Sequence, residues 1–203
     1  IQDAGENIII RTFHQTENSD FECRIPLENK LLPWSEYNPV LYQLKAVLYT
    51  GGTAADECSQ SFGIRDFEAG KHHFLVNGDP VFLRGKHDGM IFPLTGYAPM
   101  NTEEWLKVMG TAKDYGINHY RFHTCCPPEA AFQAADQLGI YLEPELPFWG
   151  TVTSPSQEGH NEELQQYLIT EGFRILDTFG NHPSFVMFSL GNELWGSKEV
   201  LND

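Results

Sequence analysis

With 203 residues, 41% of them hydrophobic and 13% aromatic, the chain has enough apolar material for one large or two small globular domains with real cores. A formal charge of -15 spreads a negative field that repels nucleic acid and anionic lipid headgroups; neutral partners fit better, although most of these carboxylates simply serve solubility. No run of about 18 apolar residues could cross a membrane, and Ile1 opens no basic-then-apolar targeting pattern, so the start reads as internal and the compartment stays open, a periplasmic or secreted parent protein being compatible.

Residues 1–65 alternate short apolar stretches (Ile8, Ile10 and Thr12; Phe21, Cys23 and Ile25; Leu41 to Tyr49) with turn-rich pieces at Glu17-Asn18-Ser19-Asp20 and Thr50-Gly51-Gly52. This is a β-sandwich pattern. Only four or five strands fit, short of the seven of an immunoglobulin-like sandwich, so the domain is expected to lack its beginning. After Phe62-Gly63-Ile64-Arg65 the pattern changes. Phe74-Leu75-Val76 and Val81-Phe82-Leu83 flank Asn77-Gly78, a hairpin signal whose turn Asp79-Pro80 is expected to lengthen.

From there strands alternate with helices. Asn101 is placed to cap the first helix, with Glu104 reaching back in a capping box, Trp105, Met109 and Ala112 on one apolar face, and Gly116 at its end. Ile117 to His123 is the next strand. Pro127-Pro128 opens a second helix, through Ala130, Ala131, Ala134 and Leu138, that stops at Gly139 before a strand from Ile140 to Glu145. A loop from Pro147 to Gly159 leads to a third helix, Asn161 to Phe179, with Leu164, Leu168, Phe173 and Leu176 in phase. Asn181-His182-Pro183 breaks it, and Phe185 to Leu190 is the fourth strand.

Such alternation means parallel strands joined by right-handed crossovers, an α/β fold. The expected architecture is the first half of a (β/α)₈ TIM barrel over residues 66–203, preceded by part of an immunoglobulin-like β-sandwich over residues 1–65. A doubly wound open sheet is the alternative, but Arg84-Gly85-Lys86-His87-Asp88-Gly89 lacks the G-x-G-x-x-G spacing of its phosphate loop. Cys23, Cys58, Cys125 and Cys126 lack the Cys-x-x-Cys pairs of a zinc site and read as small buried thiols, with a Cys23 to Cys58 bridge left open.

In a parallel barrel the chemistry lies at the carboxyl ends of the strands. Those ends carry Lys86, His87 and Asp88; Arg121 and His123; Glu145; and Asn192 and Glu193. Four consecutive polar strand ends favour a site over chance exposure. The sharpest signal is Ser189-Leu190-Gly191-Asn192-Glu193-Leu194-Trp195 behind the apolar Phe185 to Phe188. A carboxylate in such a low-dielectric wall is disfavoured in its charged form, as a general acid requires. A glutamate satisfied by loop backbone would share the tripeptide.

Trp34-Ser35 with Pro39 and Leu41-Tyr42, Phe62-Gly63-Ile64-Arg65, Phe74 to Gly85, Gly116-Ile117-Asn118 leading to Arg121, and Asn181-His182-Pro183-Ser184 leading to Gly191-Asn192-Glu193 resemble, in order, glycoside hydrolase family 2, which contains β-galactosidases, β-glucuronidases and β-mannosidases. The resemblance spans nearly the whole chain. It implies a retaining exo-β-glycosidase with Glu193 as acid/base and Asn192 on the sugar 2-hydroxyl. His87, Arg121 and His123 match pocket residues that support the acid/base or bind sugar hydroxyls. One departure concerns His123: many members have Arg-x-x-His-Tyr-Pro where this chain reads Arg121-Phe122-His123-Thr124-Cys125-Cys126-Pro127-Pro128. Glu145 stands where the family often has Asp-Glu, with Pro144 replacing the first acid, and is as readily structural as catalytic. Trp149 and Trp195 are sugar-stacking candidates that could equally be core; Phe92 and Tyr97 are weaker ones; Trp34 and Trp105 read as core.

The partner implied is a β-glycoside, with no cofactor, metal, nucleic acid or membrane. A retaining mechanism needs a second carboxylate about 5–5.5 Å from the first. The family supplies it from strand seven, so the resemblance implies that strands five to eight, the nucleophile and the amino-terminal sugar-binding domain lie outside this chain. The isolated chain is then expected to be inactive, with open barrel edges that invite self-association. The competing readings are a non-catalytic carbohydrate-binding or interaction module that keeps half a site, and an open-barrel glycosidase pairing Glu145 with Glu193. All of this requires the Glu193 carboxylate at the inner mouth, facing His87 and His123.

Overall fold

The computed structural model describes residues 1–5, 7–14, 22–27 and 30–202. The expected turn at Glu17-Asn18-Ser19-Asp20 and the strand position Phe21 lie outside the described residues. Of the strands expected before residue 65, the described residues hold β1 (Tyr42–Thr50) and β2 (Thr53–Phe62), one antiparallel hairpin closed at Gly51-Gly52. Ile8 makes only an isolated bridge to Gln2, which also bridges Gln43, and Cys23 and Ile25 are in no strand. Both strands are largely exposed, because no second sheet covers them among the described residues.

A small antiparallel sheet, β3 (Phe67–Ala69), β4 (Phe74–Val76) and β5 (Asp79–Val81), follows. Here the sequence expectation is corrected. The turn is the two residues Asn77 and Gly78, at φ 54° and 87°, and Asp79-Pro80 already belong to β5. Both left-handed residues match the twist of a tight hairpin, and Pro80 sits on the edge strand, where a missing N–H costs no ladder bond.

The barrel part begins with β6 (Gly85–Asp88), followed by α1 (Thr102–Asp114), β7 (His119–Phe122), α2 (Glu129–Leu138) and β8 (Tyr141–Glu143). The three strands form a parallel sheet in the order β6-β7-β8. Lys86, His87 and Asp88 therefore lie within the first barrel strand instead of after it. Asn101 caps α1 by accepting from Glu104 N at 2.9 Å, and Glu104 Oε1 accepts in return from the Asn101 side chain. Gly139, at φ 70°, closes α2 in the left-handed conformation.

The fourth strand is not regular. Residues 185–190 contribute two parallel bridges, Leu142 to Phe185 and Glu145 to Ser189, which carry the sheet order onward past β8. Two unforeseen strands, β9 (Trp149–Val152) and β10 (Asn192–Gly196), pair in parallel, and α3 (Glu162–Phe179) lies between them in sequence, with α4 (Lys198–Asn202) after.

The core is the layer between sheet and helices: Trp105 and Met109 of α1, Ala131, Phe132, Ala134 and Ala135 of α2, Tyr120 and Phe122 of β7, and Leu142 of β8 are fully buried. On α3 the buried residues are Gly172 and Ile175, whereas Leu164, Phe173 and Leu176, expected to face the core, are exposed. They line an apolar cleft of about 310 Å³ with Leu146, Phe188 and Leu190.

Trp34 plugs the amino-terminal ends of the barrel strands. Its indole donates to Asp136 O at 2.8 Å, its ring meets Tyr141 edge-on at 5.7 Å, and its carbonyl accepts from the Asn77 side chain. Glu36 beside it accepts from Asn118 at 2.5 Å and pairs with Arg84 at 3.2 Å. Trp34 and Trp105 are thus core, as the sequence implied.

Candidate active site

The opposite, carboxyl-terminal ends of the strands gather the polar groups. Side chains on a strand alternate between faces. On β7, Tyr120 and Phe122 point into the helix layer, and Arg121 between them meets Glu145 on the other side of the sheet. On β6 the same alternation separates His87 from its neighbours. Lys86 and Asp88 pair at 2.5 Å, with the ammonium 4.8 Å over the Tyr120 ring, so these two sequence candidates do not join the cluster that His87 enters.

Glu145 is fully buried and organises the site. Its Oε2 accepts from Arg121 Nη2 and from Ser189 Oγ at 2.8 Å, and its Oε1 accepts from Thr124 N at 2.6 Å. A buried carboxylate survives only with a counter-charge and satisfied lone pairs, and this one has both. The same Arg121 Nη2 donates to Asn192 Oδ1 at 3.2 Å. Ser189 and Thr124 had no role in the sequence reading. The signal available for Ser189 was its place two residues before Gly191-Asn192-Glu193; Thr124, at φ 55°, offered none.

The two histidines and Trp149 form a chain of edge-to-face ring contacts. His87 and His123 meet edge-to-face at 4.8 Å, and His123 meets Trp149 in the same way at 5.1 Å. Trp149 Nε1 then donates to Glu193 Oε2 at 2.9 Å. The cluster therefore runs from His87 through His123 and Trp149 to Glu193, with Asn192 tied separately to Arg121.

Two expectations are corrected. Glu193 is exposed and does not sit in a buried wall, because β10 pairs with β9 alone and its other edge is open among the described residues. The link to the histidines runs through Trp149. Neither Trp149, 60% exposed, nor Trp195, 71% exposed, is core, and Trp195 has no hydrogen bond or ring contact to this cluster among the described residues. Phe92 packs edge-on against Trp105 at 5.5 Å, and Tyr97 is exposed.

The cysteines offer no nucleophile here. All four are free, and burial pushes the Cys125 thiol up to about 11, the charges of Asp88 and Glu145 adding to it, while burial holds Cys126 up to about 12. Among the described residues no group of three or more His, Cys, Asp or Glu could hold a metal ion, and no helix is long and apolar enough to cross a membrane.

Residues 67–201 match the family description "Glycosyl hydrolases family 2, TIM barrel domain", and residues 1–65 match "Glycosyl hydrolases family 2". A putative β-glucuronidase of Formosa agariphila is 32% identical over 80% of this chain and 19% of its own length. A β-galactosidase of Halalkalibacterium halodurans is 26% identical over 100% of this chain and 21% of its own. Among solved structures, a β-glycosidase from Bacteroides vulgatus superposes with a TM-score of 0.71 at 24% identity, covering 85% of this chain and 22% of that one. The chain spans about a fifth of the length of these curated relatives.

Proposed function

Because this chain belongs to glycosyl hydrolase family 2, we propose that it carries the acid/base half of a retaining exo-β-glycosidase site, with Glu193 as acid/base. Glu193 is exposed where the sequence implied a buried wall, so the observation that supports the reading is instead its tie through Trp149 to His123 and His87. Its carboxylate accepts from an indole N–H, and the residue before it is held by Arg121, which pairs with the buried Glu145. Asn192 is the group for the sugar 2-hydroxyl, His87, His123 and Arg121 shape the pocket, and Trp149 and Trp195 offer exposed rings beside it.

In a retaining mechanism the acid protonates the leaving oxygen while a second carboxylate attacks the anomeric carbon, and the same residue then takes a proton from water. Glu145 is a poor second carboxylate: Arg121, Ser189 and Thr124 N occupy both of its oxygens. The nucleophile is therefore proposed to come from sequence beyond Asp203, and the 203-residue chain alone to be inactive.

Two measurements test this. The isolated chain, incubated with a panel of nitrophenyl β-glycosides, should give no turnover; robust hydrolysis lost in Glu193→Gln would refute the half-site. In the full reading frame, Glu193→Gln should lower kcat about 10²- to 10⁴-fold on substrates with poor leaving groups, and added azide should restore turnover of activated ones. Unchanged kcat would remove Glu193 from the chemistry. Glycan binding by the full-frame protein without turnover would favour the non-catalytic module.

A further inference from the structure

We propose that Trp149 is the positioning residue of Glu193, acting through its indole N–H more than through its ring face. The inference rests on the reading of Glu193 as acid/base and deepens it.

The local backbone is built to bring these two side chains together. Asn192 N donates to Phe148 O at 2.9 Å, which sets Asn192 opposite Trp149 in the β9–β10 pair. The approach is so close that a Cβ on Gly191, at φ 142°, would lie 2.6 Å from Phe148 O; only glycine fits. The register then shifts. Asn192 pairs with Trp149 and Trp195 with Thr151, so Glu193 and Leu194 face a single residue, Gly150. Such a bulge re-aims a side chain, and here Glu193 takes φ 47°, a left-handed conformation uncommon for any residue with a Cβ. Outliers of this kind persist where the surroundings over-determine them. The result is the 2.9 Å bond from Trp149 Nε1 to Glu193 Oε2. His123, itself braced by His87, buttresses the indole at 5.1 Å.

The chemistry follows from what an indole can do. Its Nε1–H is a donor only. It fixes Oε2 as an acceptor, which leaves Oε1 as the oxygen that carries the proton. In the first half-reaction that proton moves from Oε1 to the glycosidic oxygen as the bond between that oxygen and the anomeric carbon breaks and the second carboxylate bonds to that carbon. In the second, water gives a proton back to Oε1 as its oxygen bonds to the anomeric carbon and displaces the enzyme carboxylate.

The test is a titration on the 203-residue chain, by NMR of its indole N–H groups and of labelled glutamate carboxyls. In the unaltered chain the Trp149 Nε1–H resonance should move as Glu193 ionises, and the movement should vanish in Glu193→Gln. In Trp149→Phe the Glu193 carboxyl resonance should shift at neutral pH, because that oxygen loses its hydrogen-bond donor. A Trp149 resonance that ignores pH, or a Glu193 carboxyl signal unmoved in Trp149→Phe, overturns the proposal. The Glu193→Gln arm leaves the indole in place, so the result does not depend on how well Trp149→Phe folds. Failure of the acid/base reading looks different: the titration behaves as stated, yet Glu193→Gln in the full reading frame keeps its kcat.

Discussion

Arg121 and Glu145 form a buried-to-surface ion pair that reaches on to a third residue, since the guanidinium nitrogen that meets Glu145 Oε2 also donates to Asn192 Oδ1 at 3.2 Å. Position and stability are coupled there. Glu145→Ala strands Arg121 and removes the acceptors of Ser189 Oγ and Thr124 N. The side chain of Arg121 is 30% exposed, so water relieves part of its charge, and the loss should fall at the lower end of the range for broken buried pairs, about 3 kcal/mol. For a chain of this size that is a Tm lower by about 6–12 °C, read by circular dichroism. A drop below about 2 °C would mean the pair holds little.

The plug at the amino-terminal end of the barrel should be equally sensitive at Gly139. A Cβ there would sit 2.8 Å from both Cα and O of Glu36, in a residue at φ 70°. Gly139→Ala is expected to destabilise by about 2–3 kcal/mol, combining left-handed strain with a backbone clash. Urea unfolding with an unchanged m-value would register it. The change should also loosen the segment around Trp34, whose indole bonds to α2 at Asp136 O.

Alkali should unfold the chain through its buried thiols and phenols. Burial pushes Cys125 up to about 11 and Cys126, Tyr120 and Tyr141 up to about 12. In the unfolded chain thiols and phenols ionise near about 8.5 and 10. The folded values are raised, so this stabilisation is complete below about pH 8.5 and drains away as pH climbs through about 11 to 12. Tm measured from pH 8 to 11 should fall steadily, and Cys126→Ser should flatten the slope. A flat profile would contradict the assigned burial.

The exposed face of α3 predicts association. Leu164, Ile169, Phe173 and Leu176 are each at least 40% exposed along a cleft of about 310 Å³, and contiguous apolar surface of this kind is rarely left bare. Sedimentation velocity over a concentration series should show self-association of the chain, weakened in the double variant Leu164→Lys, Phe173→Lys. A single monomeric boundary at every concentration would dismiss the idea.

Local signals were legible wherever chemistry within a few residues decides the outcome. The caps at Asn101 and Gly139, the turn at Asn77-Gly78 and the buried stripe of α1 all follow from side chains acting on their own backbone. The candidate residues were also readable as polar groups at strand ends, and the structure gathers Glu193, His87 and His123 in one cluster and Asn192 and Arg121 in another. Lys86 and Asp88 were misplaced because three consecutive residues of β6 were read as one strand end, whereas neighbouring residues on a strand face opposite sides of the sheet. The phase of α3 was read correctly as a stripe, yet a stripe does not say whether anything covers it.

Short-range chemistry in the sequence by itself determined the alternation from α1 through β7 and α2 to β8 and which residue types could do acid/base work, and the ordered motifs carried the family resemblance. Tertiary structure alone decided that Glu193 meets Trp149 across the β9–β10 pair, and that Glu145 is spent on Arg121, Ser189 and Thr124. Those outcomes depend on a bulge, a left-handed glutamate and a backbone approach only glycine tolerates, each set by contacts between segments some 20 to 45 residues apart. Periodicity reports what one segment prefers, whereas which segments meet is settled by packing and by the pairing of buried polar groups.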